Sequence, residues 1–577
     1  SLLAVVRASV DFMSPEAQEV LRMAALLGTR FAVDDVVAVT GRSPFDLVAS
    51  MEEALAANVI VAAGNELAFR HPFLRQALYE SIPGPARAAL HRHTAEVLSR
   101  GGSPVTRVAE QLAAVTPVVD GWVLSWLVAN HAEAARRAPE IAGGLLRRVL
   151  ASGLPSPAER ETLLIALVKL DFRHERWPID EAREAAELAG DPADRAEMRQ
   201  LLAAMTYRRG DEASAITVLE ASIADPVVPE IWRTRHRVLL ANFRRGGLDD
   251  LDRADRTAAR IHDEALAHGQ PYEAAFALQT TWLTHSIRRD HERALEYVDR
   301  ALDIMRDHPG FAGMYFDLLD NRMFTLQNLD RLDEAERTLR EAALFAIRHR
   351  LPAGLQVASA VQYFWLGRWD DALAEISAVT DDAPGITFLG TREPGAVSML
   401  LHGVAALIAA HRDDAALATG HLDASEVLPA TDAERESCDF LLVARALVAE
   451  QQDRADEALE LLAPLLTPEY APLMLRHQWL PDAVRLALHR GRRDLAERAA
   501  AICAGEAAKE VRPARAYAAA ERCTALLTGD PAPALAAAAH YREVGRVPEM
   551  AAALEDAAVL LAAARRPHEA AWQGGEA

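Results

Sequence analysis

Cysteine is scarce in this sequence: Cys438, Cys503 and Cys523 lie far apart, and no C-x-x-C pair occurs in 577 residues. An odd number of isolated cysteines supports neither a disulfide framework nor a thiolate metal site. Long apolar runs are also missing, since no window of about 18 apolar residues could serve as a transmembrane helix. The N-terminus lacks the pattern of a secretory signal. We therefore expect a soluble, cytoplasmic protein without membrane association.

Aromatic residues make up only 6% of the chain, and Lys169 and Lys509 are its only lysines. Although arginine supplies nearly all of the positive charge, 84 acidic residues outnumber 62 basic ones and give a net charge of −22. Such a surface repels polyanions unless a basic patch is concentrated somewhere. We expect no direct nucleic acid binding by this chain.

Motifs for catalysis and cofactor binding are missing as well. The chain has no G-x-x-x-x-G-K-[ST], no G-x-G-x-x-G and no G-x-S-x-G, so it lacks a lysine-bearing phosphate loop and a nucleophile elbow. His91 and His93 face different sides of a predicted helix, and His262 with His268 does not match H-E-x-x-H. The sequence predicts no enzyme, no metal site and no cofactor in this chain.

The sequence does contain an internal repeat. A turn followed by an acidic residue and an alanine recurs through the second half, with a period of about 40 residues, which is typical of stacked helical hairpins. We place the repeated alanine at Ala294, Ala335, Ala372, Ala415, Ala458, Ala496 and Ala534. Each period holds two helical patterns, and acidic residues in the first turn of the second helix favour the positive end of its dipole.

Earlier hairpins are predicted at 119–151, 157–189, 191–224 and 227–267, although their pattern is less regular. We count about eleven hairpins, the last of them truncated near 567–570. The sequence therefore predicts an all-α fold in which residues 119–577 form a superhelix of repeats.

Residues 1–100 do not follow this period. Ser14-Pro15 is a good helix start, and further helices are predicted at 33–39 and 43–58. A small hairpin at 59–69 follows, with a turn at 63–66. Three helices and a two-stranded wing predict a winged helix, followed by helices at 72–81 and 86–99 and by a linker at 101–118. The third helix carries acidic and no basic residues, so we do not expect it to read DNA.

Two resemblances sharpen these predictions. The stretch from Tyr363 to Leu373, YFWLGRWDDAL, resembles the tetratricopeptide repeat, which implies a right-handed superhelix. The stretch from Phe69 to Tyr79, FRHPFLRQALY, with Leu90-His91-Arg92 downstream, resembles the winged-helix segment of the large ATP-binding regulators of the LuxR type. These signal-transduction ATPases join a nucleotide-binding domain, a winged helix, a repeat sensor and a C-terminal helix-turn-helix.

The second resemblance implies a sensor and regulatory region of an ATP-dependent transcriptional activator. Its ATPase module, for which ATP or ADP would be the cofactor, and its DNA-binding domain are absent from this chain, which looks like an excised or naturally truncated portion. Expected partners are a small-molecule inducer or regulatory protein on the concave repeat face, with self-association of the chain as a further interaction. The alternatives are a freestanding tetratricopeptide-like scaffold or the regulatory region of an ATPase-cyclase or ATPase-kinase fusion.

Candidate ligand-binding residues come from the first helix of each repeat, because these helices line the concave surface of such superhelices. Polar side chains follow one face of successive first helices, and we expect a ligand between about residues 230 and 410. The alternative is a solvated face without a ligand, and the tryptophans are better explained as core. The candidates are Thr281, His285, Arg288, Asn321, Thr325, Asn328 and Gln362.

His71 is a candidate for nucleotide sensing in the full-length protein. In relatives of these ATPases, a histidine in the motif written MHD contacts the β-phosphate of bound ADP and holds the closed state. Here Arg70 precedes the histidine and Pro72 follows it, so only His71 and the later Leu74-Arg75 agree with that pattern. The alternative role is capping of the helix that begins at Pro72.

Overall fold

A computed structural model describes residues 12–114, 119–173, 176–244, 251–349, 356–377, 396–428, 435, 438–467 and 475–563. In these residues the chain is predominantly α-helical, and none of the helices is long and apolar enough to cross a membrane. The chain divides into two compact units, and the division falls between Met198 and Arg199. The domain boundaries predicted at residues 100 and 118 remain predictions.

The first compact unit contains all of the described strands and the first ten helices. Its strands are β1 (Arg30–Phe31), β2 (Ile60–Ala63) and β3 (Glu66–Phe69). Its helices are α1 (Pro15–Leu27), α2 (Val33–Thr40), α3 (Pro44–Ala56), α4 (Pro72–Glu80), α5 (Gly84–Arg100), α6 (Val105–Ala113), α7 (Gly121–Arg137), α8 (Pro139–Ala151), α9 (Pro157–Arg173) and α10 (Ile179–Leu188). The segment predicted as a linker thus contains α6, whose buried face includes Val108 and Leu112.

The remaining helices, of which α11 contains the division between the units, are α11 (Pro192–Arg208), α12 (Glu212–Ala224), α13 (Glu230–Phe243), α14 (Leu251–Ala267), α15 (Pro271–Ile287), α16 (His291–Arg306), α17 (Ala312–Asn328), α18 (Leu332–His349), α19 (Gln356–Trp365), α20 (Trp369–Ser377), α21 (Ala396–His411), α22 (Ala415–Glu426), α23 (Asp439–Gln451), α24 (Ala455–Leu461), α25 (Leu480–His489), α26 (Arg493–Ala507), α27 (Arg515–Thr528), α28 (Ala532–Val544) and α29 (Val547–Ala563). From α7 onward the described helices pair as eleven hairpins, and α29 follows as a single helix. The predicted end near 567–570 lies outside the described residues.

The N-terminal helices flank a small antiparallel sheet with the strand order β1-β3-β2. The predicted hairpin corresponds to β2 and β3, while β1 is a third strand that the sequence pattern missed because it is only two residues long. Arg30 pairs with Ala68 across this edge, and the Phe31 and Phe69 rings lie 5.5 Å apart in the core. Ser43 caps α3 through a reciprocal capping box with Asp46.

Each repeat hairpin of the second half turns on a residue with a positive φ angle. These residues are Arg289, Asp330, Gly367, Asp413, Asp453, Gly491 and Gly529. Five residues later comes an alanine with no measurable exposure, where the second helix packs closely against the first: Ala294, Ala335, Ala372, Ala418, Ala458, Ala496 and Ala534. Ala415 was therefore placed wrongly, because it is exposed at the start of α22 and Ala418 fills the buried position.

The first helices are buried more completely than amphipathic helices usually are. Every residue of α15 from Glu273 to Ile287 is buried, because this helix packs against both α14 and α16 and also contacts the next first helix, α17. A helix enclosed in this way has no solvated face. The second helices retain one, as on α18, where Leu344 and Ile347 are exposed.

Candidate functional site

First helices of successive hairpins in the second unit surround a cavity of about 410 Å³, which we call the inner cavity. The helices that contribute to it are α19, α21, α23, α25, α27 and α29. Its lining comprises Phe364, Trp365, Leu407, His411, Val443, Ala446, Leu447, Glu450, Leu462, Gln478, Trp479, Asp482, Arg485, Leu486, Arg522, Pro548, Glu549, Ala552, Glu555, Asp556 and Val559. A volume of this size falls in the range of small-molecule sites.

Three aromatic rings form part of its wall. The Trp365 and Trp479 ring centres lie 5.3 Å apart, and Phe364 meets Trp365 edge to face at 4.7 Å. The Trp479 indole nitrogen donates a hydrogen bond of 2.9 Å to the Asp439 carboxylate, which also accepts one of 2.6 Å from Gln478. Burial raises the pKa of Asp439, although these donors favour its charged form. The bonds hold Trp479 in one orientation.

Two arginines on the cavity wall are paired with carboxylates. The Arg485 guanidinium donates two hydrogen bonds, of 2.5 and 2.8 Å, to the two oxygens of Glu450. Arg522 donates to a single oxygen of Asp556, at 2.8 and 2.9 Å. The pKa of Arg485 is raised, chiefly by the hydrogen bond to Glu450. Burial alone would lower the pKa of Arg522, but attraction to its carboxylate neighbours outweighs burial and raises it.

Close helix packing fixes the cavity wall. At Gly403 on α21, a Cβ atom would lie 2.7 Å from the backbone nitrogen of Leu441 on α23, so only glycine allows this approach. Gly367, after α19, has φ +71°, and a Cβ atom there would lie 3.0 Å from the Val547 side chain on α29. Helix α29 therefore contacts the hairpin turn that follows α19.

Buried ion pairs also tie the C-terminal helices to turns more than 200 residues earlier. The Asp330 carboxylate lies 2.5 Å from Arg546 Nε and 2.8 Å from His540 Nε2. Arg289 donates to Glu506 at 2.9 Å, and both side chains are buried. Arg289 and Asp330 are the positive-φ turn residues of consecutive hairpins.

The seven polar residues predicted to bind a ligand lie elsewhere and do not line the inner cavity. Six of them are buried, with exposed fractions of 5% or less, so alanine at Asn321 or His285 would remove a buried polar side chain and not one on a solvated face. Their burial follows from the packing of first helices against one another. Several of the seven hydrogen bond across that interface: Gln279 to Asn321 at 2.7 Å, Trp282 to Thr325 at 2.8 Å and Gln327 to Gln362 at 3.0 Å.

The other predicted residues of this group make local contacts. Asn328 donates to the Phe324 carbonyl in its own helix, and Thr281 does the same to Ala277. Arg288 is only half-buried and pairs with Asp252, while His285 lies 3.4 Å from Asp290. Burial lowers the pKa of His285, although the nearby carboxylates of Asp255 and Asp290 oppose this effect. A ligand-binding role for these residues remains a prediction.

His71 occupies the N-cap position of α4, and its side chain is exposed and makes no capping hydrogen bond. The other residues of this motif do have partners. Arg75 donates to the Ala25 carbonyl at 3.0 Å. Tyr79 lies 3.0 Å from His91, whose other ring nitrogen lies 2.8 Å from Gln111. These contacts give His91 a structural role in the N-terminal unit and leave the His71 imidazole accessible.

The sequence did not reveal the acidic lining of the inner cavity. Glu450, Asp482, Glu549, Glu555 and Asp556 come from three different hairpin regions and follow no local motif. The only available signal was their position on first helices, outside the acidic turns that mark each second helix. Trp365 and Trp479, which we explained as core, are buried and also line the cavity.

Known proteins resemble this chain only weakly. No family model matches the chain, and no curated protein matches it. Among solved structures it is similar to a Signal Transduction ATPase with Numerous Domains with a tetratricopeptide repeat sensor from Pyrococcus horikoshii, at 13% identity and a TM-score of 0.32. That match covers 72% of this chain and 63% of the other, so the chain spans less than two thirds of that protein.

A Rap protein in complex with Competence and Sporulation Factor is similar at 15% identity and a TM-score of 0.36, over 65% of this chain and 99% of the other. Yeast Tom70 is similar at 14% identity and a TM-score of 0.30, over 72% of this chain and 98% of the other. The fold class of this protein therefore follows from its own helical hairpins. It is a predominantly α-helical repeat protein with tetratricopeptide-like hairpins and a cavity among its first helices.

Proposed function

We propose that this chain is the sensor and regulatory region of a LuxR-type, ATP-dependent transcriptional activator, and that its repeats bind an inducer in the inner cavity. The observation that carries the proposal is the cavity itself, about 410 Å³ in volume and lined by the first helices of five consecutive hairpins and by α29. A ligand that contacts several repeats is able to change their relative packing, which is how occupancy would be relayed to another domain.

The N-terminal unit supports the regulatory part of this proposal. From α1 to β3 the elements follow the order helix, strand, helix, helix, strand, strand. Together with the sheet order β1-β3-β2, this favours a winged helix. On α3, Phe45 is 88% exposed, Val48 49% and Leu55 40%. These apolar side chains share one helix face, which suits packing against a protein domain better than entry into a DNA groove.

The main alternative is a scaffold whose repeats bind a protein without passing a signal to another domain. A scaffold would use the exposed outer surface of the repeats, whereas the sensor requires the inner cavity. Ala552 lines the cavity on α29, and Ala539 is exposed on α28 and outside it. Substitution of each by tryptophan therefore gives a matched pair of variants, one that fills the cavity and one that does not.

The test is a melting-temperature screen of the purified chain against a library of bacterial metabolites. We expect at least one compound to raise the melting temperature of the wild-type chain and of Ala539→Trp, because a ligand that binds only the folded state stabilises it. The same compound should have no effect on Ala552→Trp. Stabilisation that survives Ala552→Trp would contradict a cavity site, and stabilisation by no compound would favour the scaffold.

A further inference from the structure

We propose that the ligand of the inner cavity is a small organic cation, with an amine or guanidinium group attached to an apolar body. This inference rests on the proposed function, because it names the chemical class that the same cavity accepts. It is argued from the balance of charge in the cavity wall, from its aromatic rings and from the carboxylate oxygens that no arginine occupies.

The charge of the wall is negative. Five carboxylates line the cavity, from Glu450, Asp482, Glu549, Glu555 and Asp556, but only two guanidinium groups, from Arg485 and Arg522. Behind the wall, Glu549 is paired with Arg515 and Arg546, and the latter also pairs with Asp330. Including these groups leaves six carboxylates against four guanidinium groups. A cationic ligand would reduce this excess, whereas an anionic one would be repelled by it.

Acceptor oxygens remain available on α29. Arg522 makes both of its hydrogen bonds to Oδ2 of Asp556, and within the described residues no hydrogen bond reaches Oδ1. Glu555 lies one residue earlier, is exposed, and has no hydrogen bond or ion pair with any described residue. These two carboxylates therefore have acceptor capacity that an ammonium or guanidinium donor would use.

One aromatic ring of the wall already contacts a cationic side chain of the protein. The Arg515 guanidinium carbon lies 4.1 Å from the centre of the Trp365 ring. Trp365 and Trp479 are neighbours, and Val443, Ala446 and Leu447 supply apolar surface beside them. Aromatic rings attract cations through their faces and bury apolar groups at the same time. A ligand with both features matches both parts of the wall.

A small molecule is favoured over a basic peptide by the size of the site. The volume of about 410 Å³ suits a compact ligand, and α29 contacts α19 and α27 at its boundary. An extended peptide would need a continuous groove along the repeats, and the polar side chains that would line such a groove on α15 and α17 are buried between helices.

Three probes that share one apolar body test the charge assignment: 4-phenylbutylamine, 4-phenyl-1-butanol and 4-phenylbutyrate. Each is titrated into the purified chain by calorimetry at low ionic strength. We expect the amine to bind at least about tenfold more tightly than the alcohol, and the carboxylate to bind most weakly, because charges a few ångströms apart interact strongly in a partly dehydrated site. Glu555→Gln should weaken amine binding roughly three- to tenfold.

The matched control is Glu543→Gln on α28, an exposed glutamate that does not line the cavity. It should leave amine affinity unchanged. Equal binding of the amine and the alcohol, or an amine affinity that Glu555→Gln does not change, would overturn the cation assignment. Absence of amine binding up to millimolar concentration would overturn it too, as would binding of an acetylated Lys-Leu-Lys-Leu peptide in place of the amine.

Failure of this inference and failure of the proposed function are distinguishable through Ala552→Trp. If the alcohol binds as well as the amine and Ala552→Trp abolishes both, the cavity is a ligand site and only the charge class is wrong. If Ala552→Trp leaves the binding of every probe unchanged, the inner cavity is not their site, and the proposed function loses its main support.

Discussion

Asp330 and Arg546 are 216 residues apart in sequence, yet their charged groups lie 2.5 Å apart in the interior of the second compact unit. The Arg546 side chain has no exposed surface, and only 4% of the Asp330 side chain is exposed. Burial alone would raise the pKa of Asp330, but attraction to Arg546 and the hydrogen bond from His540 lower it. The pair joins a hairpin turn to the start of α29, the helix that carries three of the five cavity carboxylates.

Breaking this pair should strongly destabilise the second compact unit. Arg546→Met leaves the buried Asp330 carboxylate without its main partner, so we expect a loss of about 3–5 kcal/mol in the free energy of unfolding, measured by urea denaturation. The control is Arg493→Met, which removes an exposed pair with Glu497 and should cost less than about 0.5 kcal/mol. Equal losses in the two variants would show that the buried pair does not hold the unit together.

The same contact predicts a pH dependence. The hydrogen bond to Asp330 raises the pKa of His540, and burial and the charge of Arg546 oppose this effect without reversing it. The folded-state pKa is above the ordinary value of 6.5, so the stabilisation is complete below pH 6.5 and is lost as pH rises through the folded-state pKa.

The measurement is the difference in unfolding free energy between the wild-type chain and His540→Gln across this range. Taking the difference cancels other titrating groups, including His291, whose pKa burial lowers to about 3. The wild-type advantage should shrink as pH rises. An advantage that stays constant from pH 6 to about 9 would contradict the assignment.

Asn321→Ala should destabilise the chain, because it leaves the buried Gln279 amide without its acceptor. We expect a loss of about 1–3 kcal/mol in the free energy of unfolding. Thr325→Val should act similarly by leaving the Trp282 indole nitrogen unpaired. The control, Arg340→Ala, changes a side chain that is 63% exposed and should stay within about 0.5 kcal/mol. If Asn321→Ala left the free energy of unfolding unchanged, the hydrogen bonds between first helices would contribute nothing to stability.

His71→Ala tests the nucleotide-sensing prediction in the longer ATP-binding regulator that we propose. The imidazole is exposed and makes no capping bond, so the melting temperature of the isolated chain should not change. If His71 contacts the phosphate of bound ADP, its removal should shift the population toward the active form. Reporter transcription without inducer should then rise and ADP retention fall. Unchanged values of both would leave His71 with only its place at the start of α4.

The sequence predicted the helical elements well, because each depends on local signals. The start of α1 at Pro15 and the turn before α4 follow from capping residues and proline positions. The misplaced Ala415 shows the limit of such signals, since the letters around Asp414 fit the repeat while the buried position belongs to Ala418. Only packing against the first helix distinguishes the two alanines.

The candidate site could not be predicted in the same way. Polar residues such as Asn321 and Thr325 have the periodicity of a solvated stripe, but packing of α15 against α17 buries them. The carboxylates of the inner cavity converge because repeats far apart in sequence meet, and that depends on the small rotation between successive hairpins. No local pattern records that rotation.

Hydrogen exchange measured by mass spectrometry, with and without the compound that raises the melting temperature, tests the central claim most directly. If the inner cavity is the sensor site, added protection should fall on peptides from the helices that line it, α19, α21, α23, α25, α27 and α29, and it should disappear in Ala552→Trp. Protection confined to residues 15–113, or to the exposed faces of second helices such as α18 and α28, would contradict the account.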